Sequence, residues 1–433
     1  MEVFHIIPGT KSEMLDAEYW LKKIPDADCL IMAENDIMKF NQEIVGKCDS
    51  VYDLRSYRDS LTYDELLSLI KEYKLPEKKM YFRNGEAVKR DFYNYISDNL
   101  NITEIKEVNS VQYGITIRKT FLRSFPTDIA VYSRKGDIEF DRFQETSCQA
   151  LEPVLVLHES KDKKWYFVQM YNYRGWVKAT DIAIAKNKEE VFDYLDTDDF
   201  IVVTGNRVRT QSNPYDDDVS EIQFDMGTRV PLEKDMPDTI GNQSTYGNYV
   251  VKLPSMDDEG NLIFKYGLIS IKEDVYWGYV PYTRANILNQ AFKLIGDRYE
   301  WGDSFNGRDC SSFIMYIYKT FGFRLPRNAD EQERCPGIVH QFSDGLSLDG
   351  RIKVFDKIKP GAALYMPGHA MMYVGMDGGV PYIIHDFTGY AERNGDKYDF
   401  IPVNEVMVTS SLLPASNGIP FIERFSSAIQ FEM

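Results

Sequence analysis

The hydrophobic period switches repeatedly along this chain, and no single helix bundle or sheet can satisfy all of its settings. Residues 11 to about 107 carry helical spacing, as in the pairs Leu15 with Tyr19 and Trp20 with Ile24. "SLTYDELLSLIKEYKLP" adds a Ser/Thr start and a Pro stop. From about 112 to 185 short runs rich in Ile, Val, Tyr and Trp take over, such as "YGITIRKTFLRSFP", "EPVLVLHES", "KWYFVQMY" and "RGWVKATDI". Their pattern predicts a small β-barrel. A second β-rich stretch, about 198 to 282, repeats the order of events: an Arg-Thr element, a turn, a central strand, then a Trp/Gly strand ("RGWV" and "YWGYV"). An internal repeat is therefore expected. From "ANILNQAFKLIGDRYEWG" onward a helix, a cysteine-bearing segment and the strands "GAALYM", "AMMYVGM" and "VPYIIHDF" predict an α+β domain. The expected division is a helical segment 1–110, barrels 111–190 and 191–283, and the α+β domain 284–433, with 433 residues giving room for several cores.

Composition narrows the partners. A net charge of −17 opposes long-range attraction to nucleic acid or anionic membrane. The five cysteines, Cys29, Cys48, Cys148, Cys310 and Cys335, include no CxxC pair, so neither a disulfide framework nor a zinc ribbon is expected. All but Cys310 read as small apolar residues. The acidic clusters Asp196–Asp199 and Asp216–Asp218 lack EF-hand spacing and read as solvated loops. The start of the chain has no basic segment followed by an apolar stretch, and no 18-residue apolar run occurs, so no transmembrane segment is expected. With Met1 as the native start the expectation is a cytoplasmic protein; removal of a signal segment would instead place it in the periplasm or cell envelope.

One stretch points to chemistry. In "NGRDCSSFIMYIYKTFGF", Phe313, Ile314, Ile317, Tyr318 and Phe321 share one helix face that Gly322 ends, so Cys310 falls at a helix N-terminus. Unpaired N–H groups there favour the thiolate, which predicts a lowered thiol pKa. A buried structural cysteine is the bland alternative. Two of the five histidines lie downstream on predicted strands, His369 in "MPGHAMMYVG" and His385 in "YIIHDF". On adjacent antiparallel strands His369 can take the thiol proton while His385 fixes its tautomer. His5, His158 and His340 have no such setting and read as structural or surface residues. A zinc site from Cys310, His369 and His385 is the weaker account, because no fourth ligand is in view.

These residues resemble the bacterial cell-wall cysteine peptidases of the NlpC/P60 type. The matching stretches are "GDRYEWG" (296–302), "GRDCSSF" (307–313), "GFRLPR" (322–327), "PGAALYMPGHAMMYVG" (360–375) and "IIHDF" (383–387). The upstream arrangement resembles members with two bacterial SH3-like units. The resemblance implies a papain-like C-terminal domain preceded by two small SH3-like β-barrels and a helical N-terminal segment. It also implies hydrolysis of the γ-D-glutamyl-L-diamino acid bond in peptidoglycan stem peptides, without metal or organic cofactor. Cys310 would be the nucleophile, His369 the base and His385 the third member. Tyr299 would hold the oxyanion or substrate carbonyl, and Asp309 and Ser311 would line the substrate site. The residue that follows the Pro-Arg pair, often acidic where a free L-Ala amine is recognised, is Asn328 here, with Asp330 or an acidic residue from the first SH3-like unit as the candidate substitute. Tyr173 is the expected aromatic substrate contact from the first SH3-like unit, and Trp165, Trp176 and Trp277 are expected in the barrel cores. Asp303, Arg308 and Ser312 depart from the residues common in the family at their positions. Two other readings use the same sequence: a wall-peptide binding protein with an inactive peptidase domain, and an amidase or acyltransferase with the same triad.

Overall fold

The computed structural model describes residues 5–433, which form two compact units. The first comprises the residues up to Val51 together with Tyr279–Glu300 and Phe305–Met433; the second comprises Tyr52–Gly278 and Trp301–Ser304.

In the second unit, seven strands make one antiparallel sheet in the order Ile182–Ile184, Gln112–Thr116, Pro153–Glu159, Trp165–Gln169, Arg174–Lys178, Thr120–Arg123 and Gln144–Cys148. Its interior is closed by Leu122, Val154, Val156, Val168, Val177 and Ile182. Trp165 and Trp176 are buried, as expected. The second β-rich stretch is assembled from smaller ladders: Phe200–Val203 between Arg229–Pro231 and Val275–Trp277, Arg207–Arg209 with Gln223–Asp225, and the long hairpin Asn248–Met256 with Leu262–Ser270. Ile201, Val208, Phe224, Val251 and Ile269 form its core. Trp277, expected in a barrel core, is instead 57% exposed, as the last residue of a three-residue strand whose final two positions face solvent. In the helix Tyr63–Ile70 the Thr62 hydroxyl accepts from Glu65 N–H while the Glu65 carboxylate accepts from Thr62 N–H, the reciprocal cap that the Ser/Thr start predicts.

In the first unit, besides a short antiparallel pair of Leu30–Met32 with Tyr282–Thr283, the main elements are α1 (Ala17–Leu21), α2 (Glu34–Lys47), α3 (Arg284–Phe292), α4 (Cys310–Lys319), α5 (Ala329–Gln332), β1 (Ile338–Gln341), α6 (Leu348–Val354), β2 (Ala363–Met366), β3 (His369–Asp377), β4 (Val380–Asn394), β5 (Lys397–Ser410), α7 (Phe421–Arg424) and β6 (Ser427–Gln430). The six strands form an antiparallel sheet in the order β1-β6-β2-β3-β4-β5. Both faces are covered, so β3 and β4 read as near-continuous apolar runs with little alternation. On one face Phe355, Phe425 and Phe421 pack with Tyr373, Ile383 and Phe387; the helix α4 lies against β3 and β4. The N-terminal arm is anchored by Trp20, fully buried beside Tyr382 at a ring separation of 5.3 Å, and by Asp377, which receives Lys11, Lys23 and the Tyr19 hydroxyl. Gly375 makes room for the indole: a Cβ there would sit 2.9 Å from Trp20 Cε3, at φ +148°. Of the cysteines expected to be small apolar residues, Cys48, Cys148 and Cys335 are buried, whereas Cys29 is exposed.

No helix among the described residues is long and apolar enough to cross a membrane.

Candidate active site

Cys310 is the first residue of α4, and the chain starts that helix there for a local reason. The carboxylate of Asp309 accepts from Ser312 N–H at 3.0 Å, and the Ser312 hydroxyl accepts from Asp309 N–H at 2.9 Å. Ser312 is thus half of a capping box. The helix ends at Lys319 and Gly322 takes φ +91°, the left-handed conformation that suits glycine.

The Asp309 carboxylate also receives Arg327 through two bonds, Nη1 to Oδ1 at 3.0 Å and Nη2 to Oδ2 at 2.7 Å, while Arg327 Nη1 donates to the Ser311 hydroxyl oxygen at 2.8 Å. Burial alone would raise the Asp309 carboxyl pKa; the Arg327 guanidinium and the Ser312 N–H outweigh it and hold the group below its ordinary value. Gln332 adds a further brace, its amide donating to the carbonyls of Ser311 at 3.0 Å and Pro326 at 2.9 Å. Arg308 is fully buried, bonded to Asp297 Oδ2 at 2.7 Å and set 5.4 Å from the Tyr316 ring.

The histidines reach one place through strand parity. Met372 pairs with Ile384 across β3 and β4, so His369, three residues before Met372, and His385, one after Ile384, project from the same face. Their rings meet at 2.8 Å, His369 Nε2 to His385 Nδ1, and His385 Nε2 lies 3.0 Å from the Thr409 hydroxyl on β5. Phe387 stacks on His385 at 4.0 Å and Phe421 meets its edge at 5.0 Å. The thiol joins this group because the backbone N–H of Ala370, next to His369, donates to the Cys310 sulfur.

Electrostatics differ from the sequence expectation in one respect. Burial and, after it, the Asp309 carboxylate push the Cys310 thiol up to about 12, although the Ala370 N–H acts in the opposite direction. The expected lowering by the helix N-terminus is corrected on that ground: desolvation of the sulfur outweighs the dipole. Burial and the Arg424 charge depress His369 to about 4, and burial followed by His369 holds His385 well below the ordinary value. The resting pair is thus a neutral thiol and a neutral imidazole, suited to proton transfer during attack. Tyr299 is held far above its ordinary pKa by burial and, after it, by the Cys310 and Asp309 groups beside it, which keeps its hydroxyl a proton donor in the neighbourhood of the sulfur.

Among the sequence-predicted residues, Cys310, His369, His385, Tyr299, Asp309 and Ser311 therefore belong to one neighbourhood. Asp330 does not turn inward; it is exposed and pairs with Arg334 at 2.8 Å. Tyr173 lies in the second unit, its hydroxyl donating to Glu145 Oε2 at 2.6 Å. Asp303, also in that unit, takes φ +58°, and its carboxylate accepts from the Ser147 hydroxyl at 3.0 Å. Sequence reasoning missed Arg327, Gln332 and Thr409 as members of the network. Among the described residues no group of three or more His, Cys, Asp or Glu side chains is placed to hold a metal ion.

A buried thiol at a helix start, held at the backbone N–H next to a histidine that a second histidine meets from a neighbouring strand, is the set of groups a cysteine hydrolase of papain-like fold uses. Residues 296–393 match the NlpC/P60 family, and residues 131–178 match the SH3 domain of SH3b1 type. Residues 296–393 thus form an NlpC/P60 family domain, and residues 131–178 belong to an SH3 domain of SH3b1 type. An NlpC/P60 endopeptidase from Photobacterium damselae subsp. piscicida has a similar fold, with a TM-score of 0.76 at 19% identity over 96% of this chain and 97% of that one. An NlpC/P60 family protein from Bacillus cereus ATCC 10987 aligns with a TM-score of 0.47 at 20% identity, covering 74% of this chain and 100% of that one. No curated protein matches the sequence.

Proposed function

We propose that the chain hydrolyses the γ-D-glutamyl-L-diamino acid bond of peptidoglycan stem peptides, acting on short peptides with a free N-terminal L-Ala. The observation that carries the catalytic part is the 2.8 Å bond from His369 Nε2 to His385 Nδ1 beside a sulfur held at Ala370 N–H, because it leaves His369 Nδ1 as the basic atom. In this reading Cys310 Sγ attacks the γ-carbonyl carbon of D-Glu as its proton passes to His369 Nδ1. The oxyanion is met by the backbone N–H of Cys310 and the Tyr299 hydroxyl. His369 then gives the proton to the departing amine, the C–N bond breaks, and water, deprotonated by His369, releases the acyl group from sulfur. Asp309 and Ser311 flank the nucleophile and, with Arg327, form the polar wall on which the γ-D-glutamyl part rests. The family match of residues 296–393 supports peptide hydrolysis over a purely binding role.

The test is mass spectrometry of L-Ala-γ-D-Glu-L-Lys and its diaminopimelate analogue after incubation with reduced protein and with Cys310→Ala, each peptide also offered with an acetylated amino end. Release of L-Ala-D-Glu by the wild type alone is expected, with loss of cleavage on acetylation. Absence of cleavage for all four peptides would overturn the assignment.

A further inference from the structure

The Thr409 hydroxyl has no part in the triad, yet it is placed on the remaining nitrogen of the third member, 3.0 Å from His385 Nε2. We infer that Thr409 is a positioning residue: its oxygen is the acceptor that His385 needs once His369 holds the thiol proton. The inference rests on the proposed triad and deepens it.

Proton accounting leads to this role. When Sγ loses its proton to His369 Nδ1, that ring carries a proton on each nitrogen. Its Nε2–H must then donate along the 2.8 Å contact to His385 Nδ1. His385 Nδ1 is therefore bare, and the single proton of neutral His385 sits on Nε2. His385 is completely buried, and its ring is enclosed by Phe387 and Phe421, so this N–H has the Thr409 oxygen as its partner. In the neutral resting state the hydroxyl can rotate to donate or accept, and either proton arrangement of the two rings is served. After proton transfer only acceptance serves. Thr409 thereby favours the state in which the thiolate forms, acting through His385 without touching substrate. The charged groups that bear on His369 are Arg424 on α7 and Asp309 before α4, and His385 on β4 touches its ring; the polar contact at His385 Nε2 is the threonine hydroxyl.

The experiment has a kinetic and a spectroscopic arm. Thr409→Val keeps the shape and removes the acceptor, Thr409→Ser keeps the acceptor, and Thr409→Ala replaces the valine variant should that fail to fold. In the kinetic arm kcat for L-Ala-γ-D-Glu-L-Lys falls roughly 10- to 100-fold in Thr409→Val with KM little changed, as expected for a buried N–H left without a partner, and Thr409→Ser restores it. In the spectroscopic arm, which needs no substrate, ¹⁵N-histidine NMR follows protonation of His369 in a Cys310→Ala background. The midpoint moves to lower pH with Thr409→Val and stays in place with Thr409→Ser. Equal titration of all variants would overturn the role of Thr409, as would a serine variant as impaired as the valine one. If the wild type cuts no stem peptide, the proposed function fails while the titration still decides for or against Thr409.

Discussion

Replacing Arg327 by Met removes one partner of a buried ion pair and leaves the other in place. The guanidinium is 3% exposed and the Asp309 side chain 10%, joined at 2.7 Å, so neither charge has water to fall back on. Breaking such a pair from one side costs about 3–5 kcal/mol, because the abandoned carboxylate keeps its desolvation penalty and loses its counter-charge. Asp309 retains bonds from the Ser312 N–H and the Ser311 hydroxyl, which places the expected loss toward the lower end of that range. Asp309→Asn takes the counter-charge from the guanidinium instead and weakens the cap of α4, and the double variant is expected to lose less than the sum of the two, since both charges go together. Unfolding of the first unit must be followed separately in a chain with two compact units. Trp20 is the one tryptophan of the first unit and is fully buried, so ¹⁹F NMR of 5-fluorotryptophan-labelled protein during a urea titration reports that unit by its Trp20 resonance. A loss below about 1 kcal/mol in Arg327→Met, the level typical of an exposed pair, or strict additivity in the double variant, would refute the reasoning.

Acid should destabilise the same unit through its buried histidines. The folded pKa of His369 lies at about 4, below the ordinary 6.5, so this stability is fully present above 6.5 and is lost as pH falls through about 4. The interval corresponds to about 3 kcal/mol for His369 alone, with His385 adding in the same direction; urea titrations at neutral pH and near the folded pKa should show His369→Gln losing less than the wild type, and equal losses would count against it. Gly375→Ala drives a methyl against Trp20 in a backbone conformation unfavourable to alanine, and about 1–3 kcal/mol of stability should go; if Trp20→Phe does not relieve part of that loss, the clash is not its source. Tyr299→Phe should lower kcat roughly 100-fold with a small change in KM if its hydroxyl meets the oxyanion, and a variant with wild-type kcat would remove it from that role.

What could be read in the sequence was whatever chain geometry alone determines. The apolar face of 313–321 marks a helix whose N-terminus falls at Cys310, and the structure starts it there. His369 and His385 share a sheet face by parity once their strands are neighbours, and the order of motifs around them indicated the family of the domain. The tertiary structure decided everything that depends on which distant segments meet. Arg327 reaches Asp309 and Thr409 reaches His385 across chain separations with no periodic signal, and Asp330, a suitable residue type near the right place, is turned to solvent by its helix. The same division explains the thiol. A helix N-terminus is visible in sequence and argues for a thiolate, whereas burial is a property of the packed molecule, and in this site burial is the larger effect.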